Sequence, residues 1–187
     1  MITRFNIIDS KLHYIKFSGE FEGKDTRPIL DTTLEVNGTK LKIYNVHFPS
    51  GFHDVSMRID SLNVLSGLLG RHNYPTIALG DFNVNTKEDN KLNIYKSQEI
   101  YWSVAHIYAC DDCKGSFYYN YGKTWEFLDT IFLSKDRGIS YIEDTIEIYR
   151  TNSNSYNDTG KPINFNPAKK NGVSDHLPMV AKFEIIN

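Results

Sequence analysis

The sequence predicts a layered α+β domain. Short β-rich runs recur along most of the chain, one stretch over residues 55–69 has a strong helical period, and no internal repeat, linker or low-complexity tail interrupts them. Its 187 residues suffice for one domain with a sizeable core and are marginal for two. Apolar residues at 40% and charged residues at 24% are ordinary for a globular chain. Aromatics at 13%, nearly all of them the 12 Tyr and 11 Phe, exclude wholesale disorder.

The elements follow in order. Residues 12–18 alternate loosely and read as a strand. Residues 32–36 and 40–46 are β-rich runs joined by Asn37-Gly38, a strong hairpin signal. His47-Phe48-Pro49-Ser50-Gly51 breaks the second of them. Ile59, Leu62, Leu65 and Leu69 give residues 55–69 one apolar helical face, and Gly70 suits the helix end. Residues 75–79 form an unbroken apolar run, as buried strands do, and stop at Gly80-Asp81-Phe82-Asn83. Weak helical character follows over 85–97, then strand-like runs at 117–121, 128–134 and 141–149. The polar tract 150–174 reads as a functional or disordered loop, and 177–185 as a final strand. Arg150, Lys161, Lys169 and Lys170 give that tract a surface that either meets a polyanion or is simply solvated.

Charge narrows the function. With 21 Lys+Arg against 23 Asp+Glu the net charge is −2, so no basic field draws nucleic acid or membranes to the whole molecule. Phosphate binding then requires a local site with a metal. No apolar run approaches the roughly 18 residues of a membrane span, and no signal peptide is visible at the N-terminus. Cys110 and Cys113 form one C-x-x-C in a turn-like stretch. A local disulfide or inert thiols, a metal role and a redox role stay open, although zinc normally needs a second Cys or His pair. A disulfide suggests an oxidising compartment, which leaves the location as cytoplasmic or exported.

Three polar clusters end or begin buried runs: Asn45-Val46-His47, Gly80-Asp81-Phe82-Asn83 and Ser174-Asp175-His176. Asp129 sits inside the apolar run Phe127-Leu128-Asp129-Thr130-Ile131-Phe132-Leu133, a costly place for a carboxylate unless it is paired or metal-bound. Taken singly, each has an ordinary reading as turn, loop, structural histidine or ion pair. Together they supply what phosphate-ester hydrolysis needs: hard oxygen ligands for Mg²⁺, an Asp or His to activate water, and Asn and His donors for phosphate oxygens. No serine or cysteine nucleophile stands at a G-x-S-x-G elbow, so acyl transfer is disfavoured.

Asn45-Val46-His47-Phe48-Pro49-Ser50, Gly80-Asp81-Phe82-Asn83, Trp125-Glu126-Phe127-Leu128-Asp129-Thr130-Ile131 and Ser174-Asp175-His176-Leu177-Pro178-Met179, in this order, resemble the endonuclease/exonuclease/phosphatase (DNase I-like) superfamily, and within it uncharacterised bacterial members. The resemblance runs over residues 25–187 and implies a four-layer β-sandwich with flanking helices. It implies a hydrolase using Mg²⁺, or Mn²⁺ in its place, on a phosphate ester, nucleic acid included. His47 would bind the scissile phosphate or assist acid–base work, Asp81 would orient or deprotonate the attacking water, and Asn83 would hold a phosphate oxygen. Asp129 would fix the tautomer of His176, Asp175 would sit by the metal, and His176 would contact the phosphate or act as general acid or base.

The resemblance also implies an upstream strand ending in Asn and a Gln-Glu whose glutamate is the main Mg²⁺ ligand. Asn6, Glu20 and Glu22 are present, but in no matching motif. The chain therefore reads as one domain, the second half of the sandwich with a sliver of the first. Its metal site would be incomplete and its own activity low. The alternative is an inactive half-domain, a self-associating binding module or a gene fragment.

Overall fold

A computed structural model describes residues 1–110, 113–150 and 155–186. The strands are β1 (Asn6–His13), β2 (Ile29–Val36), β3 (Thr39–His47), β4 (Thr76–Asp81), β5 (Trp102–Val104), β6 (Phe117–Tyr119), β7 (Thr124–Glu126), β8 (Asp129–Ser134), β9 (Ile139–Tyr141), β10 (Glu147–Ile148), β11 (Met179–Val180) and β12 (Phe183–Ile185). The α-helices are α1 (Val55–Leu69), α2 (Thr86–Leu92), α3 (Ile94–Gln98) and α4 (Ala105–Tyr108). The mixed α+β class is as the sequence predicts.

The central sheet has six strands in the order β1-β2-β3-β4-β8-β5. β2 and β3 form the hairpin marked by Asn37-Gly38, whose φ values of 50° and 81° are those that pair favours. β3 and β4 run parallel, joined by the crossover through α1, and β8 returns antiparallel against β4.

Strand alternation sends side chains to two cores. Tyr44, Val46, Ala78 and Phe132 pack against Met57, Leu62, Leu65 and Leu68 of α1. Leu41, Ile43, Ile77 and Leu133 pack on the opposite face with Ala105, Cys110, Tyr141 and Ile146. That second face is covered by short pairs, β9 with β12 and β10 with β11, each two-stranded.

Arg58 on α1 is wholly buried. Its guanidinium ion-pairs with Glu88 of α2 and donates to the carbonyls of Pro49, Ser50 and His53, so one side chain holds the β3–α1 connection in place.

Some boundaries differ from the sequence expectation. The first strand is Asn6–His13, so it begins earlier than residue 12, and Ile15 and Phe17 instead bury against the α1 core. Residues 141–149 and 177–185 are each broken, because Tyr141 pairs with Phe183 whereas Ile148 pairs with Met179. Gly70 does sit at the end of α1, but with right-handed φ of −62°. Cys110 and Cys113 are paired at disulfide distance, one of the arrangements that the sequence leaves open. Part of the polar tract, residues 151–154 with it, lies outside the described residues.

Candidate active site

Register builds the site. His47 is level with Asp81 across the β3–β4 pair, and Asp81 is level with Asp129 across β4–β8. Side chains at paired positions share a face, so three strand ends present one polar row. Gly80 makes the close approach possible. Its φ is 135°, and a Cβ there would fall on the Val46 carbonyl oxygen. The peptide nitrogen of Asn83 donates to Asp81 Oδ1 at 2.9 Å and fixes that carboxylate.

His176 arrives from the far end of the chain. A bridge to Phe117 seats it, the two rings lie 5.1 Å apart, and the Leu177 nitrogen donates to the Ser116 carbonyl at 2.7 Å. Its Nδ1 meets Asp129 Oδ2 at 2.5 Å. The Ser116 hydroxyl accepts from the Asp129 nitrogen at 3.1 Å, so this buried serine ties both halves of the pair.

Asp81, Asp129 and His176 offer one ligand atom each within 4.8 Å of one another. His47 Nε2 lies 3.5 Å from Asp81 Oδ2. Burial and then the Asp129 charge push Asp81 up to about 6. Burial works to lower His176, but the hydrogen bond and charge of Asp129, helped by Asp81 and Asp175, raise it overall. Burial, then the charge of Arg27, holds His47 down. The row thus pairs an imidazole that favours its charged form with one that favours neutrality, around a carboxyl that titrates near neutrality.

Five of the sequence-predicted residues are placed at or beside this row: His47, Asp81, Asn83, Asp129 and His176. Asn83 is buried and its Nδ2 donates one hydrogen to the Phe48 carbonyl at 3.0 Å, so a phosphate contact would have to use the second hydrogen of the same nitrogen. Asp175 is exposed and stands outside the trio, reaching the site through its charge on His176. Glu20 and Glu22 are exposed and are likewise not in it. Sequence reasoning missed Ser116, whose only signal was a small polar residue after Gly115, and Arg27, which carries no motif. It placed Asp175 by the metal, whereas the three residues that offer ligand atoms within 4.8 Å of one another are Asp81, Asp129 and His176.

Comparison with solved structures shows that this mixed sheet has the fold of endonuclease/exonuclease/phosphatase family proteins. An endonuclease/exonuclease/phosphatase family protein from Leptotrichia buccalis C-1013-b superimposes with TM-score 0.64 at 21% identity, over 98% of this chain and 63% of that one. D. rerio TDP2 complexed with single strand DNA product gives 0.66 at 16% identity, over 97% and 69%. A mannosyl-6-phosphatase from Bacteroides thetaiotaomicron VPI-5482 gives 0.54 at 17%, over 97% and 67%. The chain thus spans between 63% and 69% of the length of these structures. No family model matches the sequence, and no curated protein matches it.

Proposed function

We propose that the chain is a phosphoesterase of the endonuclease/exonuclease/phosphatase type, cleaving phosphodiester or phosphomonoester bonds by metal-assisted attack of water. The observation that carries this is the convergence of Asp81, Asp129 and His176 within 4.8 Å. Two carboxylates and an imidazole suit a small divalent cation. The oxygens favour Mg²⁺, and the nitrogen is better tolerated by Mn²⁺. Such a cation, when bound, neutralises phosphate charge and polarises the ester.

The chain's own groups do the rest. Asp129 holds Nδ1 of His176 and so leaves Nε2 as the ring atom free to meet a cation or, where none is bound, to donate to a phosphate oxygen. Asp81, ionised above about pH 6, accepts a proton from the attacking water. His47, held neutral beside it, is positioned to pass a proton on. Substrate breadth is bracketed by the two relatives, one bound to single-stranded DNA and one a mannosyl-6-phosphatase.

The test is hydrolysis of bis-p-nitrophenyl phosphate and of p-nitrophenyl phosphate, each with Mg²⁺, Mn²⁺ or EDTA. Cleavage should require the cation, and the preferred ester assigns the class. EDTA-indifferent turnover would sink the metal mechanism.

A second reading, an assembly module, is favoured by one observation: edge strand β1 exposes Ile7, Ile8 and Leu12 together. Sedimentation showing a monomer at high concentration would count against it.

A further inference from the structure

At the opposite end of β3 from His47 lies a cavity of about 320 Å³ between the sheet and the end of α1. At about 3.3 Å per residue, Lys42 is roughly 16 Å along the strand from His47. Lys11, Lys40, Lys42 and Arg71 line it against the carboxylates of Asp9 and Asp31. Asp31 is already engaged. It accepts from Lys42 Nζ at 2.6 Å and meets His13 Nε2 at 2.8 Å, with Lys11 3.8 Å away. Lys40 lies over the Tyr74 ring at 5.4 Å, and neither it nor Arg71 makes an ion pair among the described residues. These cations are not needed to cap α1, because Arg137 already donates to the carbonyls of Leu69 and His72.

A second observation points into the same space. The Tyr74 nitrogen donates to His72 Nδ1 at 3.3 Å, so that atom carries no proton and the neutral ring bears its hydrogen on Nε2. Burial, then the charges of Lys42 and Arg137, hold His72 near 4, which keeps the ring neutral. Nε2 therefore donates to the Tyr44 oxygen, 2.8 Å away. The hydroxyl hydrogen of Tyr44, a residue 1% exposed, is left to donate elsewhere. A buried donor among surplus cations calls for an acceptor with negative charge.

We infer that this cavity binds a compact oxyanion, a phosphate group either free or carried on a larger molecule. Arg71 and Lys40 supply the charge, Tyr44 a neutral donor, and Lys42 stays paired with Asp31.

The test is calorimetric titration of pyrophosphate into the full chain at low salt with EDTA present. The arms are the unmodified chain, the K40A/R71A double variant, Tyr44→Phe and His176→Ala. The double variant should bind about tenfold or more weakly, and Tyr44→Phe severalfold more weakly with the fold retained by circular dichroism. His176→Ala should bind as before. Repeating with orthophosphate and with a 5′-phosphorylated oligothymidylate separates a free anion from a carried one by which binds tighter. Binding that depends on His176, binding indifferent to Lys40 and Arg71, or no saturation below about 10 mM overturns the inference. The Lys40, Arg71 and Tyr44 arms do not depend on the hydrolytic reading, and the His176 arm separates this cavity from the candidate active site.

Discussion

At the scale of single residues, the sharpest test concerns the hydrogen bond of 2.5 Å between His176 and Asp129. Asp129→Asn should keep the fold but cut metal-dependent turnover by about 100-fold or more, because an amide stabilises the wrong tautomer and no longer favours the charged ring. His176→Ala should do comparable damage, and the double variant should be scarcely worse, since the two act as one unit. Losses that multiply would refute the pairing. Asp81 carries an opposite signature. Its folded-state value near 6 lies above the 3.8 of an unperturbed carboxyl, so the folded state binds a proton more tightly than the unfolded one. Stability therefore falls as pH rises through that window, a deficit on the order of 3 kcal/mol that is complete above about pH 6. Asp81→Asn should thus abolish hydrolysis and yet raise the melting temperature at pH 8 in EDTA by several degrees, with the gain vanishing below about pH 4. A lower or unchanged melting temperature at pH 8 contradicts this. His47, Asp81, Asp129 and His176 were legible because each is a polar residue abutting an apolar run. Ser116 and Arg27 were not, since their roles come only from what the folded chain brings beside them.

At the scale of elements, Gly80 shows how a strand end becomes a site. Gly80→Ala would drive a methyl into the Val46 carbonyl oxygen at a backbone angle that L-residues rarely adopt. Expected are a drop of roughly 2–4 kcal/mol in unfolding free energy and a larger loss of turnover, as the His47–Asp81 register is forced apart. Chemical denaturation that leaves stability within about 0.5 kcal/mol of the unmodified chain would contradict that account. The elements best read from sequence are those fixed by their own pattern. α1 is found at Val55–Leu69, the same bounds its leucine spacing implies. The hairpin of β2 and β3 forms where Asn37-Gly38 marks it. β1 was harder, because both its faces are largely exposed and no alternation of burial is written into it. β5, α4 and β7 are three or four residues each and exist through their partners, Trp102 opposite Ser134 and Trp125 opposite Tyr118. No local pattern announces elements of that length.

For the whole molecule, the six-stranded sheet divides the labour. The α1 face carries the larger apolar cluster, and the opposite face carries the polar row of the candidate site at one end. On that second face the side-chain oxygen of Asn45, two residues before His47, is buried and finds no hydrogen-bond partner among the described residues. The row itself is drawn from residues 47, 81, 129 and 176, so three well-separated strands and a distal segment must all be in place before it exists. Such non-local assembly is slow relative to local structure. On refolding from denaturant, burial of Trp102, read by fluorescence of a Trp125→Phe variant, should precede recovery of Mn²⁺ binding. Simultaneous recovery would show that the His176 segment docks with the sheet. Synthesis runs in the same direction. The ribosome has delivered β1 through β8 before His176 leaves the exit tunnel, and the bridge to Phe117 and the bond to Ser116 are the clasp that closes behind it. A nascent chain of this protein would therefore lack the polar row until the segment around His176 is free to swing back.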